Sequence, residues 1–132
     1  MYAAAHGFNN KKLVERFSVT YKRDEVIFWE GDAANYFYVV LEGSVEIVRR
    51  RADGTSMHLG LCKAGDFFGE MALLNAQPRT GTAVAAERNT RLLAMSQDQL
   101  LQLLADNSSF ALKMIKVLCA RLKNLGDHLV QV

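Results

Sequence analysis

Cysteine, histidine and proline are scarce in this chain of 132 residues, and each scarcity closes a route. The two cysteines, Cys62 and Cys119, stand far apart in apolar surroundings. They read as buried, reduced thiols of a cytoplasmic protein, without metal-ligand spacing and without a disulfide between them. His6, His58 and His128 are equally scattered. An enzyme with a metal-dependent site needs several imidazoles and carboxylates converging on one ion, so no metal is expected. No apolar run is long enough to span a bilayer, and the first residues lack a signal-peptide pattern, so membrane insertion is not expected. Charge of one sign is also lacking: the net charge is +2, too small to point to nucleic acid.

What is present is the composition of one globular domain spanning residues 1–132, with half of the residues hydrophobic and 23% charged. Met1 to Gly7 is small and unpatterned. Asn9 or Asn10 caps an expected short helix through Leu13, Val14 and Phe17. From Val19 the apolar period becomes that of strands. Val26 and Phe28 alternate with Ile27 and Trp29, and Glu30-Gly31-Asp32 turns the chain. Tyr36 to Leu41 is a continuous apolar run, expected to be a strand buried on both faces. Val45 and Ile47 alternate in the next strand, and Asp53-Gly54 reads as a two-residue hairpin turn. Arg49-Arg50-Arg51 at that hairpin reads as a solvated strand end in preference to a nucleic-acid patch. Met57, Leu59 and Leu61 continue the alternation, and strands over Thr82–Ala86 and Leu92–Met95 flank Glu87-Arg88-Asn89. Short strands at near-regular intervals imply an antiparallel sandwich or barrel over about residues 18–95.

The segment 67–83 is different in kind. Gly69 permits a tight turn and close approach to a ligand. Glu70-Met71-Ala72-Leu73-Leu74 is a short helical run whose first N–H groups lack intrahelical partners. Pro78 stops that run and pre-sets the turn before Arg79. The planar fork of Arg79 fits a phosphate bidentately, each bond worth roughly 1.5–3 kcal/mol. A carboxylate beside a phosphate repels it, so Glu70 must face a donor-bearing part of the same ligand, such as a sugar hydroxyl.

Gly69-Glu70-Met71-Ala72-Leu73-Leu74 followed by Pro78-Arg79-Thr80 resembles the phosphate-binding cassette of the cyclic nucleotide-binding domain family. Phe28-x-x-Gly31-Asp32, Phe37 to Leu41, Gly43, Val45 and Gly65-Asp66-x-Phe68 are similar to the family's barrel framework. The resemblance covers nearly the whole chain. It implies a mainly β fold, an antiparallel jelly-roll β-barrel with a short N-terminal helix and C-terminal lid helices. It also implies that Glu70 holds the ribose 2′-hydroxyl and Arg79 the cyclic phosphate. Further ligand contacts are implied for Phe68, Gly69, Met71, Ala72, Thr80, Gly81, Ile47, Leu59 and Ala83. The Thr80 hydroxyl lies near the phosphate and can meet the amino group of syn cGMP, which permits cGMP while cAMP is the expected ligand. Two departures stand out. Arg23-Asp24 replaces a common Pro-Gly turn, which Asp tolerates. Gly81 and Ala83 replace Ala and a larger aliphatic, which implies a thinner pocket wall.

The C-terminal part, about residues 96–132, is expected to be helical. Ser96-Gln97-Asp98-Gln99 is a capping-box signature. Asp106 to Ser109 breaks the helix and forms an expected hinge with few apolar anchors. Ala111, Ile115, Leu118, Leu122, Leu125 and Leu129 then recur as an a/d-like stripe. By resemblance Arg121, Leu122 or Leu125 covers the purine as a lid, and the same stripe could pair two chains as a homodimer. The expected function is that of a sensor and not an enzyme, since no nucleophile–base pair shows matching spacing. The rival readings are a ligand-free interaction domain, which would be expected to lose Arg79 or Glu70 first, and the sensor piece of a channel or transcription regulator. No helix-turn-helix, kinase motif or membrane segment is legible, so any effector domain lies elsewhere.

Overall fold

The computed structural model describes residues 16–129, with side chains to residue 123. The expected helix from Asn9 or Asn10 lies outside them except for Arg16 and Phe17, which are helical. Eight strands follow: β1 Ser18–Tyr21, β2 Val26–Phe28, β3 Phe37–Glu42, β4 Ser44–Arg50, β5 Ser56–Lys63, β6 Phe67–Phe68, β7 Thr82–Ala85 and β8 Thr90–Met95. Among the described residues after β1, three helices accompany them: α1 Glu70–Leu74, α2 Gln97–Asp106 and α3 Ser108–Leu129. The strands form two four-stranded antiparallel sheets, ordered β1-β8-β3-β6 and β2-β7-β4-β5. This is the strand order of a double-sheet jelly roll. The expected barrel is corrected to a sandwich, because among the described residues no ladder joins one sheet to the other.

β3 shows why the sandwich holds together. Its side chains alternate between two cores. Phe37, Val39 and Leu41 face a core shared with Leu93, Met95, Leu100, Phe110 and Met114, where α2 and α3 cover the first sheet. Tyr38 and Val40 face the second core, with Val45, Phe68, Ala83 and Leu92 between the sheets. The buried run therefore spans Phe37 to Leu41, while Tyr36 lies exposed just before the strand. Each such aromatic or aliphatic side chain contributes about 1.5–3 kcal/mol on burial.

The turns follow local chemistry. Asp24 takes φ 70°, the left-handed conformation that the Arg23-Asp24 turn requires. The β4–β5 connection is not the two-residue turn expected of Asp53-Gly54. Five residues, 51–55, join the strands, closed by Arg51 N–H to Thr55 O and by Thr55 donating to Asp53 Oδ1. The register of β5 slips opposite Ile47 and Val48, leaving Leu59 as the extra residue of a bulge.

α2 begins as its sequence predicts: the Ser96 hydroxyl accepts from Gln99 N–H while the Ser96 N–H donates to Gln99 Oε1. The break before α3 is shorter and better anchored than expected. Only Asn107 separates the helices, its Oδ1 accepts from Phe110 N–H, and Phe110 and Met114 are buried at once. The face of α3 turned to the protein is thus Phe110, Met114, Val117 and Leu118, of which only Leu118 belongs to the expected a/d stripe. Ile115 and Leu122 of that stripe are exposed, with Leu112 and Cys119 beside them. Cys119 is therefore not buried, and Cys62 is only half-buried. Among the described residues no helix is long and apolar enough to cross a membrane.

Candidate functional site

β6, α1 and the segment leading into β7 place the cassette along one side of a cavity of about 500 Å³. Gly69 opens α1 with φ 85°, and a Cβ there would stand 2.6 Å from Arg79 Nη1. Both facts restrict the position to glycine. Gly69 O and Tyr36 O accept from the two terminal nitrogens of Arg79, the first at 2.8 Å. The Phe28 ring lies 4.0 Å from the Arg79 guanidinium carbon, a cation–π contact. Arg79 is 4% exposed, and its Nε is a buried donor with no partner. Burial pushes its pKa down from the ordinary guanidinium value, while Tyr38, Glu70 and Asp32 pull it the other way. The Tyr38 hydroxyl is pushed up to about 12, chiefly by burial and then by Tyr21. The main chain of Arg79 is fixed as well: its N–H donates to Asp32 O and its carbonyl accepts from Gly31 N–H.

Glu70 is also 4% exposed. Its Oε1 accepts from Arg121 Nη1 at 2.6 Å, and Arg121 Nη2 donates to Phe67 O at 2.8 Å. The Phe67 ring sits 4.8 Å from the Arg121 guanidinium carbon. α3 is thereby tied to the cassette by a charge-assisted pair that sequence spacing gives no means of finding.

Most of the expected site residues meet at this cavity. Phe68, Gly69, Glu70, Met71, Ala72, Arg79, Thr80, Gly81, Ile47, Leu59 and Arg121 all line it. Two do not line it, and a third has its side chain outside the described residues. Ala83 is fully buried in the core between the sheets, because β7 has by then turned its side chain inward. Leu122 is 67% exposed on the outer face of α3, and the inner face offers Val117 and Arg121 instead. The side chain of Leu125 lies outside the described residues. Phe28, Gly60, Leu61, Cys62, Asp66 and Val117 also line the cavity, and sequence reading missed them as site residues. The Leu59–Leu61–β5 alternation was the available signal for Leu61. The wall at Gly81 is not thin: a Cβ there would stand 3.1 Å from Ile47 Cγ2 and 3.3 Å from Leu59 Cδ1, so those side chains fill the space. Among the described residues no three His, Cys, Asp or Glu side chains gather as metal ligands.

The family model for the cyclic nucleotide-binding domain matches residues 18–107. The chain is 29% identical over 114 residues to the CRP-like cAMP-activated global transcriptional regulator of Mycobacterium tuberculosis, covering 86% of this chain and 50% of that protein. It is 34% identical over 103 residues to the cyclic AMP receptor protein of Thermus thermophilus, covering 78% of this chain and 47% of that one. The crystal structure of Thermus thermophilus catabolite activator protein superposes with a TM-score of 0.77 at 29% identity, covering 92% of this chain and 59% of that chain. A cAMP-bound EAL enzyme gives 0.62 at 32% identity, covering 83% and 29%. The chain spans about half the length of the first two relatives. The matched span runs from β1 through α2, and the chain belongs to the cyclic nucleotide-binding domain family.

Proposed function

We propose that this domain binds a cyclic purine nucleotide, cAMP in preference to cGMP, and reports occupancy through α3. One observation carries the reading: a buried guanidinium and a buried carboxylate line the same cavity, and the carboxylate is held by the last helix. Arg79 receives the cyclic phosphate. Glu70 accepts from the ribose 2′-hydroxyl through Oε2 while Oε1 keeps Arg121. Leu59, Leu61 and Val117 supply apolar wall for the purine, and Thr80 stands beside the phosphate. In this reading the phosphate is held by Arg79 and is not attacked, so the domain acts as a regulatory module and not as a catalyst.

Occupancy passes to an effector through α3. The relatives named above include transcriptional regulators, and others are cAMP-dependent protein kinase regulatory subunits and a putative potassium channel protein. The output of this chain is therefore read as residing in an attached or partner domain, within the cytoplasm and without DNA contact by this segment alone. Val117 and Arg121 form the ligand side of α3, and Leu112, Ile115 and Leu122 form the side for a second copy. The lid and the dimer seam thus use different side chains.

Calorimetry with cAMP, cGMP and 2′-deoxy-cAMP tests the reading. Wild type binds cAMP, the deoxy analogue binds much more weakly, and Arg79→Ala loses roughly 2–5 kcal/mol of affinity. Equal binding of ribo and deoxy forms removes Glu70 from the ribose. Absence of any cyclic nucleotide binding would return the domain to a ligand-free interaction role, and cGMP tighter by about tenfold, roughly 1.4 kcal/mol, would reverse the base preference.

A further inference from the structure

Arg49-Arg50-Arg51 is a basic run that the nucleotide site leaves unexplained, and the fold sends its three members to different places. Arg51 is exposed in the five-residue connection, and Arg50 offers its main-chain N–H to Glu30 Oε1. Arg49 turns toward the cassette, with Nε donating to Thr80 O at 2.9 Å across 31 residues of sequence. Alternation along β4 accounts for the direction: Ile47, two residues earlier on the same face, lines the cavity.

Thr80 and Gly81 follow Arg79 directly and both line the cavity. In a trans peptide the C=O and the next N–H point in opposite directions. A cation fixed on Thr80 O therefore sends the Gly81 N–H away from Arg49. It also polarises that peptide, strengthening its N–H as a donor to an anion. The two preceding peptides are already pinned: Arg79 N–H donates to Asp32 O, and Arg79 O accepts from Gly31 N–H.

We propose that Arg49 is a positioning residue of the phosphate site, acting from β4 on the Thr80–Gly81 peptide to hold and polarise it for a singly charged cyclic phosphodiester. The inference rests on the cyclic nucleotide reading of the cavity. It gives the first arginine of the run a role that Arg50 and Arg51 do not share.

Affinities of wild type, Arg49→Gln, Arg49→Lys and Arg51→Gln for cAMP, and for its two phosphorothioate diastereomers, test it. Arg49→Gln should bind cAMP about tenfold more weakly, on the order of one charge-assisted hydrogen bond. Arg49→Lys should recover only part of that loss, since an ammonium does not reproduce the directed Nε–H bond, and Arg51→Gln should match wild type. The loss on Arg49→Gln should be smaller for one diastereomer than for the other, because a single N–H donates to only one of the two exocyclic oxygens. Equal losses for both diastereomers mean that Arg49 only props the hairpin, and the proposal falls. It falls also if Arg49→Gln binds like wild type, or if Arg51→Gln weakens binding as much, which would make the effect one of general charge. Failure of wild type itself to bind cAMP would instead overturn the nucleotide reading, and this proposal with it. Arg49 is exposed, so the variants should keep the wild-type melting temperature.

Discussion

Arg121 Nη1 stands 2.6 Å from Glu70 Oε1, although 51 residues separate them in the chain. One partner is half-exposed and the other is nearly fully buried. Arg121→Gln leaves a buried carboxylate short of its donor, which should cost about 1–3 kcal/mol of stability. Glu70→Gln keeps an acceptor and should cost less. A double-mutant cycle in urea should give a coupling energy of about 0.5–3 kcal/mol. A coupling near zero would mean that the pair adds nothing to holding α3.

The two faces of α3 should separate by mutation. Ile115→Glu with Leu122→Glu places charge on the exposed face and should abolish self-association in sedimentation. Stopped-flow release of a fluorescent cAMP analogue should stay within about twofold of wild type, less than 0.5 kcal/mol on the activation scale. Release accelerated by tenfold or more would mean that the outer stripe, not Val117 and Arg121, covers the ligand.

Trp29, the only tryptophan, is 60% exposed at the start of the β2–β3 loop. Its main-chain N–H donates to Asp32 Oδ2, while Asp32 O, Gly31 N–H and Tyr36 O all hold Arg79. Saturating cAMP should therefore change Trp29 emission. Arg79→Lys, which cannot span both carbonyls, should shrink that change even at saturation. An emission spectrum indifferent to bound ligand would uncouple the loop from the phosphate site.

Cys62 lines the cavity, and its thiol is pushed up to about 11, first by burial and then by Asp66. Iodoacetamide at neutral pH should label exposed Cys119 first and Cys62 slowly, and cAMP should slow Cys62 further. The raised value also fixes a sign. The unfolded thiol loses its proton before the folded one, so this contribution to stability is complete below about pH 9 and lost as pH rises toward 11. Wild type should accordingly lose urea stability relative to Cys62→Ala over that window. Parallel curves for the two proteins would remove Cys62 as the cause.

Local chemistry was the legible part of this sequence. The Ser96–Gln99 capping box and the left-handed Asp24 turn are set by neighbours within a few residues, and the Gly69-to-Arg79 cassette is legible as one short contiguous segment. What pairs across the chain was not. Arg121 with Glu70 and Arg49 with Thr80 depend on how two sheets and a helix meet. α3 has apolar residues on more than one face, so two stripes fit the same spacing of three and four. The sheet selects between them, and Phe37 does so by taking Phe110 edge-on at 6.5 Å. Barrel closure failed for a similar reason, since strand number and alternation are shared by barrels and sandwiches.

Arg79 ties the β2–β3 loop, the start of α1 and the Phe28 ring into one unit before any ligand arrives. Selection for a stable fold alone would therefore preserve it, and Glu70 with its Arg121 partner likewise, which corrects the expectation that a ligand-free domain loses these two first. In a descendant that had stopped binding nucleotide, drift would show first elsewhere. The exposed Thr80 and the solvent-facing apolar side chains Leu59 and Leu61 have the least to do for the fold. Their identities across an evolutionary lineage are the record of whether the pocket is still in use.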